Sequence, residues 1–462
     1  MIIGQTGSSG SAVAATGPCT VGQLDFIRAH RSTHAPSRLN TALRLRLVGD
    51  LDVVLLAAAT CQAAERNEAL RTRFRQVGEQ WRQEVLELSP GLISAFREPV
   101  TRPTYLTNEA EVEEWSVRQA EEPFRLDRAP LFRCATARVG DREWVVSLVQ
   151  HHIITDAAST GVLLREIVER YAALRAGTTP EIAPVRARPI EVADRQARML
   201  RESAFESSLR YWERELDGAR LDIPLPGDRP RPQVLSGRGH LIELVADPAL
   251  SGRVEALAGE LRVTPYSILL TTFGELLRGL GDVDEVVVGG TFANRVDEDT
   301  ETMVGHMANS TLFRLRGEPE RTIEEMIRAV ARMLFAHADH QDAPYRLVAE
   351  RLDLARRSGV DRFPQAVFVL NSDYDRLPPV AGLDVRVERV SVAGNARTDL
   401  AFVAVAQRSG LRLWAEFSAD HLDPGTVRGW LDRYLGLLCA AVGDPGLPVR
   451  DWVPAPGSFV SG

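Results

Sequence analysis

Apolar positions along the chain alternate between two periods, and the switches between them mark its elements. "LNTALRLRLVGDLD" from Leu39 alternates apolar and polar residues as a half-buried strand does, and Val53 to Glu65 then follows helical spacing into "RNEALRTRF". Trp144 to Val149 is a continuous apolar run that predicts a buried strand. After it, Gly161 to Leu174 places Val162, Leu163, Ile167, Val168, Tyr171 and Leu174 on one helical stripe. In the second half "HLIELVA" reads as a strand, Pro248 to Leu261 and Pro265 to Leu280 as helices, and "EVVVGGTFANR" as a core strand. There Gly289 and Gly290 allow a bend or a close approach. A mixed α/β fold without repeats follows.

Turn-rich stretches divide the chain. "AGTTPEIAPVRARP" from Ala176 and "DIPLPGDRPRP" ending at Pro232 bracket a helical segment, Ile190 to Leu216. The expected organisation is a flexible leader over 1–17, a first lobe over 18–180, a linker with a connecting helix over 181–232, and a second lobe over 233–455. At 462 residues, 44% of them hydrophobic, the chain is long and apolar enough for two cores.

Composition narrows the chemistry. A formal net charge of -8 argues against a general nucleic-acid or anionic-membrane binder. All 55 basic residues are arginine. Without lysine there is no Schiff-base catalyst, no lysine-anchored pyridoxal phosphate and no Walker-type P-loop. Cys19, Cys61, Cys134 and Cys439 lack metal or redox spacing and read as reduced thiols of a cytoplasmic protein. No apolar run approaches the roughly 18 to 20 residues that cross a bilayer, and the start of the chain lacks the basic region of a secretion signal.

The densest chemistry lies in "WVVSLVQHHIITDAAST". His151 and His152 fall on the connection between the buried strand and the following helix, with Asp156 and Ser159 close behind. A neutral imidazole there can take a proton from an attacking amine or hydroxyl near neutral pH, provided neighbours fix its tautomer and direction. A serine at a helix start is also a natural cap, which is the simpler use of Ser159. His306, His337 and His340 have no carboxylates at zinc-ligand spacing and predict no metal site.

"HHIITDA" resembles the HHxxxDG signature of the condensation domains of nonribosomal peptide synthetases. The likeness extends in family order from about residue 20 to about residue 450. "TVGQLDFI" resembles the opening motif, "RNEALRTRF" the RHExLRTxF motif, and "GGTFANRVDEDTETMVGHMANSTLFRLR" the GxPxANR and GxFxNTLPLR segment. "HQDAPYRLVAERL", "FPQAVFVLNS" and "RTDLAFVAV" are similar to the later elements. The resemblance implies an α/β (α+β) fold of two lobes, each like chloramphenicol acetyltransferase, in a V-shaped pseudo-dimer with an active-site tunnel between them. Segments of the second lobe would cross back to the first.

It also implies a reaction, the attack of an amine on an acyl or aminoacyl thioester carried by a phosphopantetheine arm. Some free-standing members take a hydroxyl and form an ester. Proximity supplies much of the catalysis, ~7 to 11 kcal/mol of the barrier. No tightly bound cofactor or metal is expected. On the family pattern His152 orients the acceptor and takes its proton, His151 is structural, and Asp156 pairs with Arg295. Ala157, Ser159, Asn309, Asn395 and Arg397 are candidate tunnel or loop residues, with Asn309 and Asp399 expected to be structural. One such unit uses nearly all of the chain, with no adenylation region or LGGxS-type attachment site, so the expectation is a free-standing enzyme. Its partners would be a peptidyl or acyl carrier protein as donor, and a second carrier or a small amine or alcohol as acceptor.

Two departures stand out: Ala157 replaces the signature glycine, and "RNE" replaces RHE. If the turn requires φ > 0, alanine strains it; if not, alanine only narrows the neighbouring space. The alternatives are an O-acyltransferase using coenzyme A or carrier thioesters, an epimerisation domain, for which the EGHGRE-like segment is missing, and a catalytically silent carrier-docking scaffold.

Overall fold

The structure, a computed structural model, describes residues 11–33, 35–371, 374, 377–390, 396–407 and 410–452. The chain forms two compact units of mixed α/β structure, and both are discontinuous in sequence. The first contains residues 1–202, 293–308 and 374–392; the second contains 203–292, 309–373 and 393–462.

The first unit is built on a five-stranded sheet in the order Leu383–Arg389, Asn40–Gly49, Glu143–His151, Phe132–Arg138 and Thr104–Tyr105. Neighbours are antiparallel except the last pair. The alternation in Asn40–Gly49 has a direct result. Leu43, Leu45 and Leu47 enter the core, while Arg44 and Arg46 point the other way and pair with Glu113, Glu109, Glu143 and Glu388. Glu143–His151 is covered on both faces, which explains its unbroken apolar run. Val146 and Leu148 join Leu163, Leu164 and Ile167 of the helix Ala157–Ala176, whereas Val145 packs with Val112 and Trp115.

A second, three-stranded antiparallel sheet in this unit has the order Val13–Pro18, Gln80–Leu86, Thr72–Val77. The expected leader over 1–17 is therefore corrected at its end. Residues 13–18 form an edge strand because Gln80–Leu86 offers them a ladder, from Leu86 opposite Val13 to Arg82 opposite Pro18. The expected single helix over Ile190–Leu216 is likewise two, Pro189–Met199 and Ser203–Glu215. They are separated by a turn in which the amides of Arg201 and Glu202 bond the carbonyls of Arg198 and Met199. The chain passes from one unit to the other at this break, at residues 202–203 rather than near 180.

The second unit has a six-stranded sheet ordered Asn309–Arg316, Glu285–Phe292, Ala366–Asn371, Leu400–Gln407, Gly410–Ser418, Gly239–Val245. The two pairings on either side of Ala366–Asn371 are parallel and the rest antiparallel. The helix Pro265–Gly281 contributes Ile268, Leu269, Phe273 and Leu276 to its core. Gly290 is required by packing, since a Cβ there would collide with the ring of Phe313.

The helix Val21–Ser32 carries two side chains of the site described next. A capping box starts it: Thr20 Oγ1 accepts from the Gln23 amide at 3.1 Å, and Gln23 Oε1 accepts from the Thr20 amide at 2.8 Å. Thr20→Ala is expected to destabilise the protein by about 0.5 to 2 kcal/mol, read as a lower urea midpoint at constant slope. An unchanged midpoint would show that the cap contributes nothing to that helix.

Candidate functional site

The strand Glu143–His151 ends at His151, a short 3-10 turn covers His152–Ile154, and Asp156 caps the helix Ala157–Ala176. His151 is fully buried. Its Nδ1 accepts the Ile153 amide at 3.1 Å, so the ring hydrogen resides on Nε2 and is donated to His30 Nδ1 at 3.2 Å. Burial, reinforced by His30 and His152, lowers its pKa to about 3. His151 is thus a neutral link between the turn and the helix Val21–Ser32.

His152 faces a different environment. Its Nδ1 lies 2.9 Å from the Thr155 carbonyl oxygen and must donate to it, which makes Nε2 the basic nitrogen of the neutral ring. Phe26 stacks on this ring at 4.8 Å and 22°. His306 meets the ring edgewise at 5.4 Å and 77°, and it meets Phe26 at 4.8 Å and 85°. The His306 Nδ1 also donates to the Thr155 carbonyl, at 3.2 Å.

Below the turn, Asp156 is buried and accepts four hydrogen bonds. Oδ1 takes the Ser159 amide at 2.7 Å and Arg295 at 3.1 Å; Oδ2 takes the amides of Met307 at 2.9 Å and Ala308 at 3.1 Å. Burial alone would raise its pKa, but Arg295, His306 and the amide donors outweigh it and hold the carboxyl below its ordinary value of 3.8. Arg295 also donates to Ser159 Oγ at 2.7 Å, to the Met303 carbonyl at 3.0 Å, and to the Thr300 carbonyl.

Ser159 is not the cap. Asp156 occupies that position, and the Ser159 hydroxyl instead donates to the Gly305 carbonyl at 2.5 Å while accepting from the Gly305 amide and Arg295. Ala157 is the first residue of the helix and is not among the residues with positive φ, so this turn does not require the glycine of the signature. Its carbonyl accepts the Tyr374 hydroxyl at 2.9 Å.

Other candidates fall elsewhere. Asn309 belongs to the second unit, where its amide donates to the carbonyls of Gln341 and Ala343 and accepts the Tyr345 amide. Arg397 lies in that unit three residues before the strand Leu400–Gln407. Asp399, also there, is fully buried and accepts from Arg231 at 2.8 Å and His421 at 3.1 Å. Asn395 lies outside the described residues. His30 and Phe26 were not singled out by sequence, and His306 was weighed only as a metal ligand, because nothing in their local spacing links them to the turn. Among the described residues no group of three or more His, Cys, Asp or Glu side chains is placed to hold a metal, and no helix is long and apolar enough to cross a membrane.

Asp156→Ala leaves Arg295 buried without its carboxylate and is expected to destabilise the fold by about 3 to 5 kcal/mol in urea unfolding. Because the folded pKa is depressed, the stabilisation from ionised Asp156 is present above the unfolded value and lost as pH falls through the folded one. The stability difference between the native protein and Asp156→Asn should therefore shrink on acidification below about pH 4. A difference that is constant with pH would refute this assignment.

Residues 23–456 match the family model described as the condensation domain. The chain is 30% identical over 427 residues to the non-canonical nonribosomal peptide synthetase CymA of Salinispora arenicola; the match covers 90% of this chain and only 5% of that relative's length. Among solved structures, the condensation domain of the monacolin K polyketide synthase MokA superposes with a TM-score of 0.80 at 18% identity, over 95% of this chain and all of that one. The X-domain of teicoplanin biosynthesis, solved in complex with OxyB, superposes with a TM-score of 0.76 at 25% identity, covering 96% of this chain and 97% of that one. With its family motif carried on a strand-to-helix turn and the match spanning nearly its full length, the chain belongs to the condensation-domain family.

Proposed function

We propose that the chain is an acyltransferase that joins an acyl or aminoacyl thioester, presented on the phosphopantetheine arm of a carrier protein, to an amine, forming an amide. The observation that supports this most directly is the fixed tautomer of His152. With Nδ1–H committed to the Thr155 carbonyl, Nε2 can accept a proton, and the short turn together with the Phe26 stack restrains its direction.

In the reaction the amine nitrogen attacks the thioester carbonyl carbon. The new C–N bond forms, the C–S bond breaks, and the proton lost by the amine passes through His152 Nε2 to the departing thiolate. No electrons are exchanged and no further reagent is consumed. His151 and Asp156 act through the turn, the first as a neutral buried anchor and the second as the cap and clamp beneath it. A hydroxyl acceptor would use the same proton path and give an ester.

A second reading, a carrier-docking scaffold without chemistry, is favoured by the similarity to an X-domain bound to OxyB. The two readings separate in one assay. The purified chain is offered acyl groups on carrier proteins and on coenzyme A, with amines and alcohols, and products are followed by mass spectrometry. Amide product from a carrier-bound donor is expected, with His152→Ala slower by about 10²- to 10⁴-fold. Equal turnover by the two proteins would remove His152 from the chemistry. Tight carrier binding without product from any donor would establish the scaffold.

A further inference from the structure

His306 lies far from the signature in sequence, yet its imidazole shares an acceptor with His152. Both Nδ1 atoms approach the Thr155 carbonyl oxygen, at 2.9 Å from His152 and 3.2 Å from His306. A carbonyl only accepts, so both rings donate from Nδ1. The oxygen has two lone pairs and satisfies both donors. The three rings of Phe26, His152 and His306 form a closed set, with Phe26 flat against His152 and His306 edge-on to both.

The seat of His306 depends on a particular residue of the neighbouring helix. A Cβ at Gly22 would lie 3.1 Å from His306 Nε2 and 3.2 Å from its Cδ2, so a side chain at position 22 would press the ring back by a few tenths of an ångström. Gly22 and Phe26, which face His306 from that helix, are uncharged. The charged and titratable groups around it are Asp156 and His152 on the turn and Arg295 on its own segment. Burial, opposed by Asp156 and the Thr155 carbonyl and assisted by Arg295, lowers the basicity of His306 and favours its neutral form.

We propose that His306 is a positioning residue for His152: its N–H occupies part of the Thr155 carbonyl, and its ring closes Phe26 against the His152 ring. The inference rests on the reading of His152 as the proton acceptor. A protonated His152 would gain a charge-assisted hydrogen bond from Nδ1–H to that carbonyl, and sharing the oxygen with His306 reduces the gain. His306 therefore favours the neutral, proton-accepting form of His152 and restrains its ring at the same time. Neither effect requires His306 to touch a substrate.

Two substitutions divide these effects. His306→Phe keeps a ring of similar shape and removes the donor; His306→Asn keeps an N–H at the position of Nδ1 and removes the ring. Each full-length protein is labelled with ¹⁵N-histidine, the His152 signals are assigned by their loss in His152→Ala, and both ring nitrogens are followed through a pH titration. The native protein should show His152 with its hydrogen on Nδ1. In His306→Phe the His152 signals should titrate at higher pH, with the acid limb of the rate profile moving the same way. His306→Asn should restore the native titration. In the amide-forming assay His306→Asn should lower kcat by about 10- to 100-fold with little change in KM, the scale of a catalytic group displaced by about 1 Å.

If His306→Phe does not fold, Gly22→Ala takes its place. It leaves the imidazole present but presses it back by a few tenths of an ångström, and should move the His152 titration by a smaller step in the same direction. A folded Phe or Gly22 variant with an unchanged His152 titration overturns the inference. The NMR readout needs no turnover, so it stands apart from the reaction itself, which fails if His152→Ala retains full activity or if no donor gives product.

Discussion

The carboxylate of Asp156 is the constraint on which the site depends. Its two oxygens accept from the Ser159 amide, the Arg295 guanidinium and the amides of Met307 and Ala308. A buried carboxylate is costly unless its lone pairs are satisfied, and here the donors come both from its own helix and from residues 293–308. The same group therefore starts the helix Ala157–Ala176 and fastens the distant segment that contains His306. Thr155, directly before it, presents the carbonyl that orients both His152 and His306. A loss at Asp156 would spread from the cap to the turn and from the turn to the imidazoles.

Two adjacent histidines acquire opposite characters from their surroundings. His151 ends a strand and is enclosed, accepts an amide through Nδ1 and donates through Nε2 to His30. His152 has left the strand, donates through Nδ1, and keeps its basic nitrogen on the other side of the ring. The reversal of tautomer follows from the backbone. The turn points the Ile153 N–H back at the first ring, whereas Thr155, just after it, points a C=O at the second. Placing two groups of one type in environments that separate their protonation behaviour is a general way to divide structural from chemical roles.

Elements whose partners lie nearby in sequence, or whose own periodicity is strong, were legible. Pro248–Leu261 begins with a proline just after Asp247, whose side chain caps it, and the sequence places both ends of that helix correctly. The alternation in Asn40–Gly49 likewise identified its buried leucines. Val13–Pro18 was missed because "VAATGP" has little strand character of its own and exists as a strand through its pairing with Gln80–Leu86. At the site, the turn and its histidines were visible as a motif, and Arg295 came from the family pattern. Phe26 and His306 reach His152 only through tertiary packing, which leaves no local signature.

Ser159 and Ala157 show how the structure decides what a motif position does. A serine near a helix start suggests a cap, but a helix has one N-cap, and Asp156, three residues earlier, takes it. The hydroxyl then serves the Gly305 backbone and Arg295. For alanine in place of the signature glycine the sequence leaves strain and a narrowed space both open, and the position proves to be the first turn of a helix, where the backbone is one that every L-residue adopts. The effect of the substitution thus lies outside the backbone, in the space that its methyl group fills. The close approach that favours glycine is instead found at Gly22, where an added Cβ would press on the His306 ring beside His152.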